Sequence, residues 1–216
     1  MSRITNLLAR PYAFCLAWLV LLCCCTPFSF AADGVVLSAE VQPQWLWSGA
    51  SGSKAKAQFR QSFEVPAGIK SARIVATADN HFTLFLNGEK VLQGDDWNNL
   101  ETVDVTAALK PGRNVLALQG QNDDGIAAVI LQLQVTTADG QKLNLATDKN
   151  WKASSGQIPK WSAVDFDDSQ WSAPDVIGQI GGNGLPWSQA INAHTVATTL
   201  GSSIGGDFVP EIAENV

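Results

Sequence analysis

The segment Ala72–Gly88, ARIVATADNHFTLFLNG, sets two alternating apolar runs on either side of a polar break. Arg73–Ala78 alternates. So does Phe82–Leu86, with Phe82, Leu84 and Leu86 on one face and Thr83 and Phe85 on the other. A period of two suits a half-buried strand and not a helix. Asn87-Gly88 then supplies the positive φ angles of a tight hairpin. Asp79 and Asn80 fall at a strand edge or loop, where a carboxylate and an amide can meet a ligand.

The same grammar runs from Val35 to about Trp187. Trp45-Leu46-Trp47 reads as an aromatic strand, and Gln58–Val65 as a second, stopped by Pro66 and Gly68. Val103 and Val105 mark another strand, ending before Leu109 and the turn Lys110-Pro111-Gly112; Asn114–Leu118 follows. Ile126–Thr137 alternates most cleanly. Ala127, Val129, Leu131, Leu133 and Val135 face one way, and Ala128, Ile130, Gln132 and Gln134 the other. Asp139-Gly140 turns this run into Lys142–Ala146. No stretch has the period of a long amphipathic helix. Short strands spaced by turns predict an all-β fold, a β-sandwich of jelly-roll type over residues 35–187. Ser188–Val216 is rich in small and polar residues and reads as a linker-like tail.

Residues 1–31 read as a signal peptide. Arg3 and Arg10 form a basic start, Ala13–Leu22 an apolar core, and Ser29-Phe30-Ala31 a small-residue cut site. All four cysteines lie within this segment, so the exported chain would carry neither disulfides nor thiolate chemistry. About 185 residues remain, enough to bury one core without such staples. Loss of Arg3 and Arg10 moves the formal charge from −6 to −8. That balance argues against nucleic acid or an anionic membrane surface as partner. It suits a neutral or cationic ligand, or a divalent cation.

With the strands placed, the chain resembles the galactose-binding-like jelly-roll domains, the sugar-binding modules attached to bacterial α-L-rhamnosidases and other large exported proteins. The matching pieces are Trp45-Leu46-Trp47, Phe59–Pro66, Ser71–Gly88, Trp97 with Glu101–Thr106, Leu109–Leu118, Asn122 with Gly125, Ala146–Lys152 and Phe166–Trp171. The resemblance rests on their order and spacing. It implies a non-catalytic domain in which Asp79 and Asn80 lie beside a calcium ion and the sugar, and Trp97 offers a flat face. It also implies a following domain, an enzyme or a redox unit. Many relatives carry a tyrosine after the Ala-Asp-Asn break; here it is His81-Phe82, and no tyrosine follows the leader.

The residues themselves leave two readings at each position. Asp79-Asn80 is either an Asx-type turn or a pair of hard oxygen ligands that suit calcium and vicinal hydroxyls. Trp97, in the polar loop Gly94–Asn99, either stacks on a pyranose or caps the core. Asn122, in Gln121–Gly125, is either a turn residue or a ligand contact. Asp165–Asp168 lacks the glycine and glutamate of an EF-hand loop and reads as a structural turn. His81 and His194 stand apart, and there is no Gly-x-Ser-x-Gly elbow, so no nucleophile constellation emerges. The expectation is a carbohydrate-binding module with Asp79, Asn80, Trp97 and Asn122 at a glycan ligand, and Asp79 and Asn80 at calcium. The alternative is an architectural domain packed against a catalytic or redox partner.

Overall fold

The computed structural model describes residues 35–38 and 40–201. The leader-like segment 1–31 and the end of the tail lie outside them. Among the described residues, twelve strands and one helix follow in order: β1 (Val35–Val36), β2 (Gln44–Trp47), β3 (Lys56–Val65), β4 (Ile69–Asp79), β5 (His81–Leu86), β6 (Glu89–Gly94), β7 (Glu101–Asp104), β8 (Gly112–Gln121), β9 (Ala128–Thr137), β10 (Lys142–Ala146), β11 (Lys152–Ser154), β12 (Asp175–Gln179) and α1 (Ala193–Gly201). They form two sheets, β1-β3-β8-β5-β6 with β11 on β3, and β12-β2-β9-β4-β7 with β10 on β9. The β-sandwich expected from the alternation is what the chain adopts.

The core lies between the sheets. Phe59, Phe63, Leu84, Leu86, Leu116 and Leu118 from one sheet meet Leu46, Trp47, Ile74, Val129, Leu131 and Leu133 from the other. Apart from the adjacent pair Leu46-Trp47, these are the inward positions of the period-two pattern. Gly120 lets the sheets close: a Cβ there would lie 2.7 Å from Val129 and 2.8 Å from Trp47. The expected hairpin is present at Asn87 (φ 54°) and Gly88 (φ 88°). Asn87 is also tied sideways, its Oδ1 accepting from the Val115 amide at 2.9 Å.

Both sheets carry covers on their outer faces. Over the first sheet, Trp161, Trp171, Phe85 and Phe166 pack around Ala117. Arg60, fully buried, clamps that cover: its Nε donates to Asp168 Oδ2 at 2.8 Å, and its guanidinium to the carbonyls of Trp161, Ala163 and Phe166.

Over the second sheet, the structure corrects the expectation of a linker beginning at Ser188. Trp187 stacks on Trp45 with ring centroids 4.3 Å apart. Ile191 joins them on Ala128 and Ile130, and Val196 and Leu200 of α1 pack on Val75. Trp45, Val75 and Ile130 are apolar on the outward face, and burying them outweighs the entropy of ordering 188–201. Asn192 starts α1 as a capping residue, its Oδ1 accepting from the amides of His194 (3.0 Å) and Thr195 (3.1 Å).

Candidate functional site

Asp79 ends β4 in one sheet and His81 begins β5 in the other, so Asn80 alone carries the chain between layers. The return crossing, residues 122–127 between β8 and β9, runs beside it: Asp79 pairs with Ala128 and His81 with Gln121. The two crossings are laced together. The Asn80 amide donates to the Gln121 carbonyl at 3.0 Å. Asn80 Oδ1 accepts from the Asp123 amide at 2.7 Å. His81 Nε2 meets Asp123 Oδ2 at 2.8 Å. The polar break in the sequence is a change of sheet.

The loop after β6 joins the same rim. Gly94 pairs with Phe82, and Thr77 Oγ1 donates to the Asp96 carbonyl at 3.3 Å. Trp97 in that loop is half-buried and packs against the Trp45–Trp187 cluster. Trp187 Nε1 in turn donates to Asp79 Oδ2 at 3.0 Å. Asp79, Asn80 and Trp97 therefore gather at one end of the sandwich.

Asn122 does not present itself to a ligand. It is fully buried, and its Nδ2 donates to the carbonyls of Ser51 (2.5 Å) and Gly125 (3.4 Å), bracing two loops. Asp123 and Ile126 of the same loop are exposed, Ile126 at 47%. Register decides this: at Asn122 the chain still points inward, and at Asp123 it turns out. Sequence spacing gives no sign of the partnership between Trp187 and Asp79.

Electrostatics separate the two carboxylates. Burial pushes the Asp79 carboxyl above its ordinary value; the Trp187 hydrogen bond opposes this, and nearby Asp123 adds to it. Asp123 is held below the usual range, chiefly by its hydrogen bond with His81. One oxygen of Asp79 is thus engaged by Trp187, and Asn80 Oδ1 by the Asp123 amide. Among the described residues, no group of three or more His, Cys, Asp or Glu is placed to hold a metal ion. Asp79 and Asn80 offer a partial oxygen shell, against the six to eight ligands calcium takes. The rim can offer carboxylate and amide oxygens, the Asn80 amide donor, and the apolar surfaces of Trp97 and Ile126.

No family model matches the chain. It is 30% identical over 169 residues to an α-L-rhamnosidase of Streptomyces avermitilis, covering 72% of this chain and 16% of that protein. A second α-L-rhamnosidase, from Formosa agariphila, is 26% identical over 53% of this chain and 17% of its own length. The chain thus spans about a sixth of these curated relatives. Solved structures agree. The Streptomyces avermitilis enzyme complexed with L-rhamnose superposes with a TM-score of 0.64 at 28% identity, over 69% of this chain and 16% of that one. The Pleurotus ostreatus lectin in complex with GalNAc gives 0.57 at 25% identity, over 64% and 44%. The GH78 rhamnosidase of Bacillus sp. GL1 gives 0.59 at 25%, over 69% and 20%. The chain is therefore similar to a β-sandwich section of α-L-rhamnosidases, as its sequence suggested.

Proposed function

We propose that this chain is a non-catalytic carbohydrate-recognition module, exported by its leader, that serves as an accessory to a larger protein. The observation that carries the reading is the meeting of Asp79, Asn80 and Trp97 at the rim where the chain crosses between sheets. A carboxylate and an amide can receive and donate hydrogen bonds to vicinal hydroxyls, while an indole covers the apolar face of a sugar ring. The similarity to parts of rhamnosidases and to a lectin supports a neutral sugar as ligand. Calcium belongs to the same reading. A cation beside Asp79 would offset the desolvation that raises its carboxyl, with sugar hydroxyls and water completing the shell.

The test is calorimetric titration of the chain with L-rhamnose and with N-acetylgalactosamine, in calcium and in chelator. The reading expects saturable binding of at least one sugar, weaker in chelator. Asn80→Ala and Trp97→Ala should each weaken it at temperatures well below their Tm, where both variants remain folded. Silence with both sugars in calcium, or turnover of aryl rhamnosides, would overturn the reading. The engagement of Asp79 by Trp187 favours a second reading, an architectural domain without sugar binding, and silence would select it.

A further inference from the structure

A second cleft lies away from the rim. The outer edge of β3 is covered by β11 at Gln58–Arg60 and by β1 at Phe63–Glu64, leaving Gln61 and Ser62 between them without a strand partner on that side among the described residues. A cavity of about 590 Å³ opens there, bordered by Gln61, Ser62, Arg113, Lys152, Asp165 and Asp167. Its size falls within the range of small-molecule sites. Arg113 stands at the opposite end of β8 from Gln121, roughly 26 Å along the strand, so this cleft and the rim are separate.

The walls are built before any ligand arrives. Arg60 fixes residues 161–168 through their carbonyls and Asp168, and its Cζ lies 5.2 Å from the Phe166 ring centre. Arg113 Nη2 donates to Ser62 Oγ at 3.2 Å. Among the described residues the ion pairs are Arg60–Asp168 and His81–Asp123. Two cations, Arg113 and Lys152, and two carboxylates, Asp165 and Asp167, therefore share the cleft without pairing with each other. Gln61 is 7% exposed, and its Oε1 is a buried acceptor with no partner among the described residues. That acceptor lies on the inner face of β3 with Phe59 and Phe63, so the groups the cleft itself presents are Ser62, Arg113, Lys152 and the two carboxylates.

We infer that this cleft is a second binding site, for a neutral polyhydroxylated ligand, an oligosaccharide chain. Balanced charge disfavours both anions and cations, whereas hydroxyls donate to carboxylates and accept from Arg and Lys. A neighbouring hollow of about 490 Å³, bordered by Trp171, Phe166 and Asp167, shares its Phe166–Asp167 wall with the first. Trp171 is buried in the cover, and half-buried Phe166 gives the trough an apolar edge against which a sugar ring can lie.

The experiment is amide NMR of the full chain titrated with cellohexaose, maltohexaose and mannohexaose, in wild type and in Asn80→Ala. At least one hexamer should shift Ser62, Lys152 and Asp167 in both proteins. Lys152→Ala and Asp167→Ala, both at the surface, should weaken that binding about tenfold each. L-Rhamnose shifts confined to Asp79–His81 would report on the rim alone, so failure of one site is distinct from failure of the other. No shift in the cleft with any hexamer overturns the proposal. So does loss of those shifts in Asn80→Ala, or a preference for sulfated over neutral hexamers.

Discussion

Trp187 Nε1 donates to Asp79 Oδ2 at 3.0 Å across 108 residues of sequence, joining the segment that covers one sheet to the crossing between both. The indole is fully buried on Trp45, so its N–H has lost water and Asp79 compensates it. The bond also makes the rim answer to the state of the C-terminal cover. Trp187→Phe keeps most of the stacking and removes the donor. It should lower stability by about 1 kcal/mol and raise the Asp79 carboxyl further. Chemical denaturation and carboxyl-carbon NMR read the two effects, and an Asp79 carboxyl unmoved by the change would contradict the coupling.

The raised carboxyl of Asp79 has a defined consequence for pH. A group whose folded pKa exceeds its unfolded value binds protons more readily when folded. Its contribution is therefore fully present below the ordinary value of 3.8 and lost as pH rises through the folded value. Asp79→Asn keeps an acceptor for Trp187 and removes the charge. Its Tm advantage over wild type should be larger at pH 7 than at pH 3.5. A constant difference across that range would remove burial as the cause. Asp123 works in the opposite sense, since His81 holds its carboxyl low and that contribution is lost on acidification; wild type and variant share it apart from its repulsion with Asp79.

Arg60 tests whether the aromatic cover of the first sheet is held from below. Arg60→Met keeps the stem and removes five donors, leaving Asp168 and three carbonyls without their partner. The cost should be roughly 3 kcal/mol, near the lower end for breaking a buried pair because Asp168 is partly exposed. Proteolysis should then cut first within 161–168. Cleavage elsewhere, with stability unchanged, would show that the cover stands on its aromatic rings alone.

The central strands were legible where burial alternates, as along β5 and the second half of β9, and elsewhere because β-branched and apolar runs are bounded by turn residues. Arg73–Ala78 and Phe82–Leu86 sit inside β4 and β5, and Ile126–Thr137 contains β9. Edge elements escaped for the opposite reason. Glu89–Gly94 is partly charged and half exposed, as edges are, so β6 shows no alternation. Asp79, Asn80 and Trp97 were chosen from residue chemistry and a resemblance, and the topology gathers them. Asn122 was chosen on the same grounds, yet register turns it inward. No spacing announces Trp187, because only the folded chain brings it back over Trp45. The cover itself had a signal. Ala128 and Ile130 occupy the outward face of β9 where Gln132 and Gln134 follow, and an apolar outer face needs something on it.

That signal leads to the prediction most at odds with a linker-like tail. If 188–201 were a spacer, trimming the chain after Trp187 would leave Tm unchanged. The structure requires the opposite, since Ile191, Val196 and Leu200 are each no more than 5% exposed. Arg73 Nη1 also donates to the Thr199 carbonyl at 3.3 Å, fastening α1 to β4 by a polar contact. Leu200→Ala should cost about 2 kcal/mol, at the low end for a core leucine because one side of α1 faces solvent. Asn192→Ala, which uncaps the helix, should cost about 1 kcal/mol. Truncation after Trp187 should lower Tm by more than either change and loosen Trp187 itself, seen as a red-shifted emission. A core that melts at the same temperature without these residues would return them to the status of a spacer.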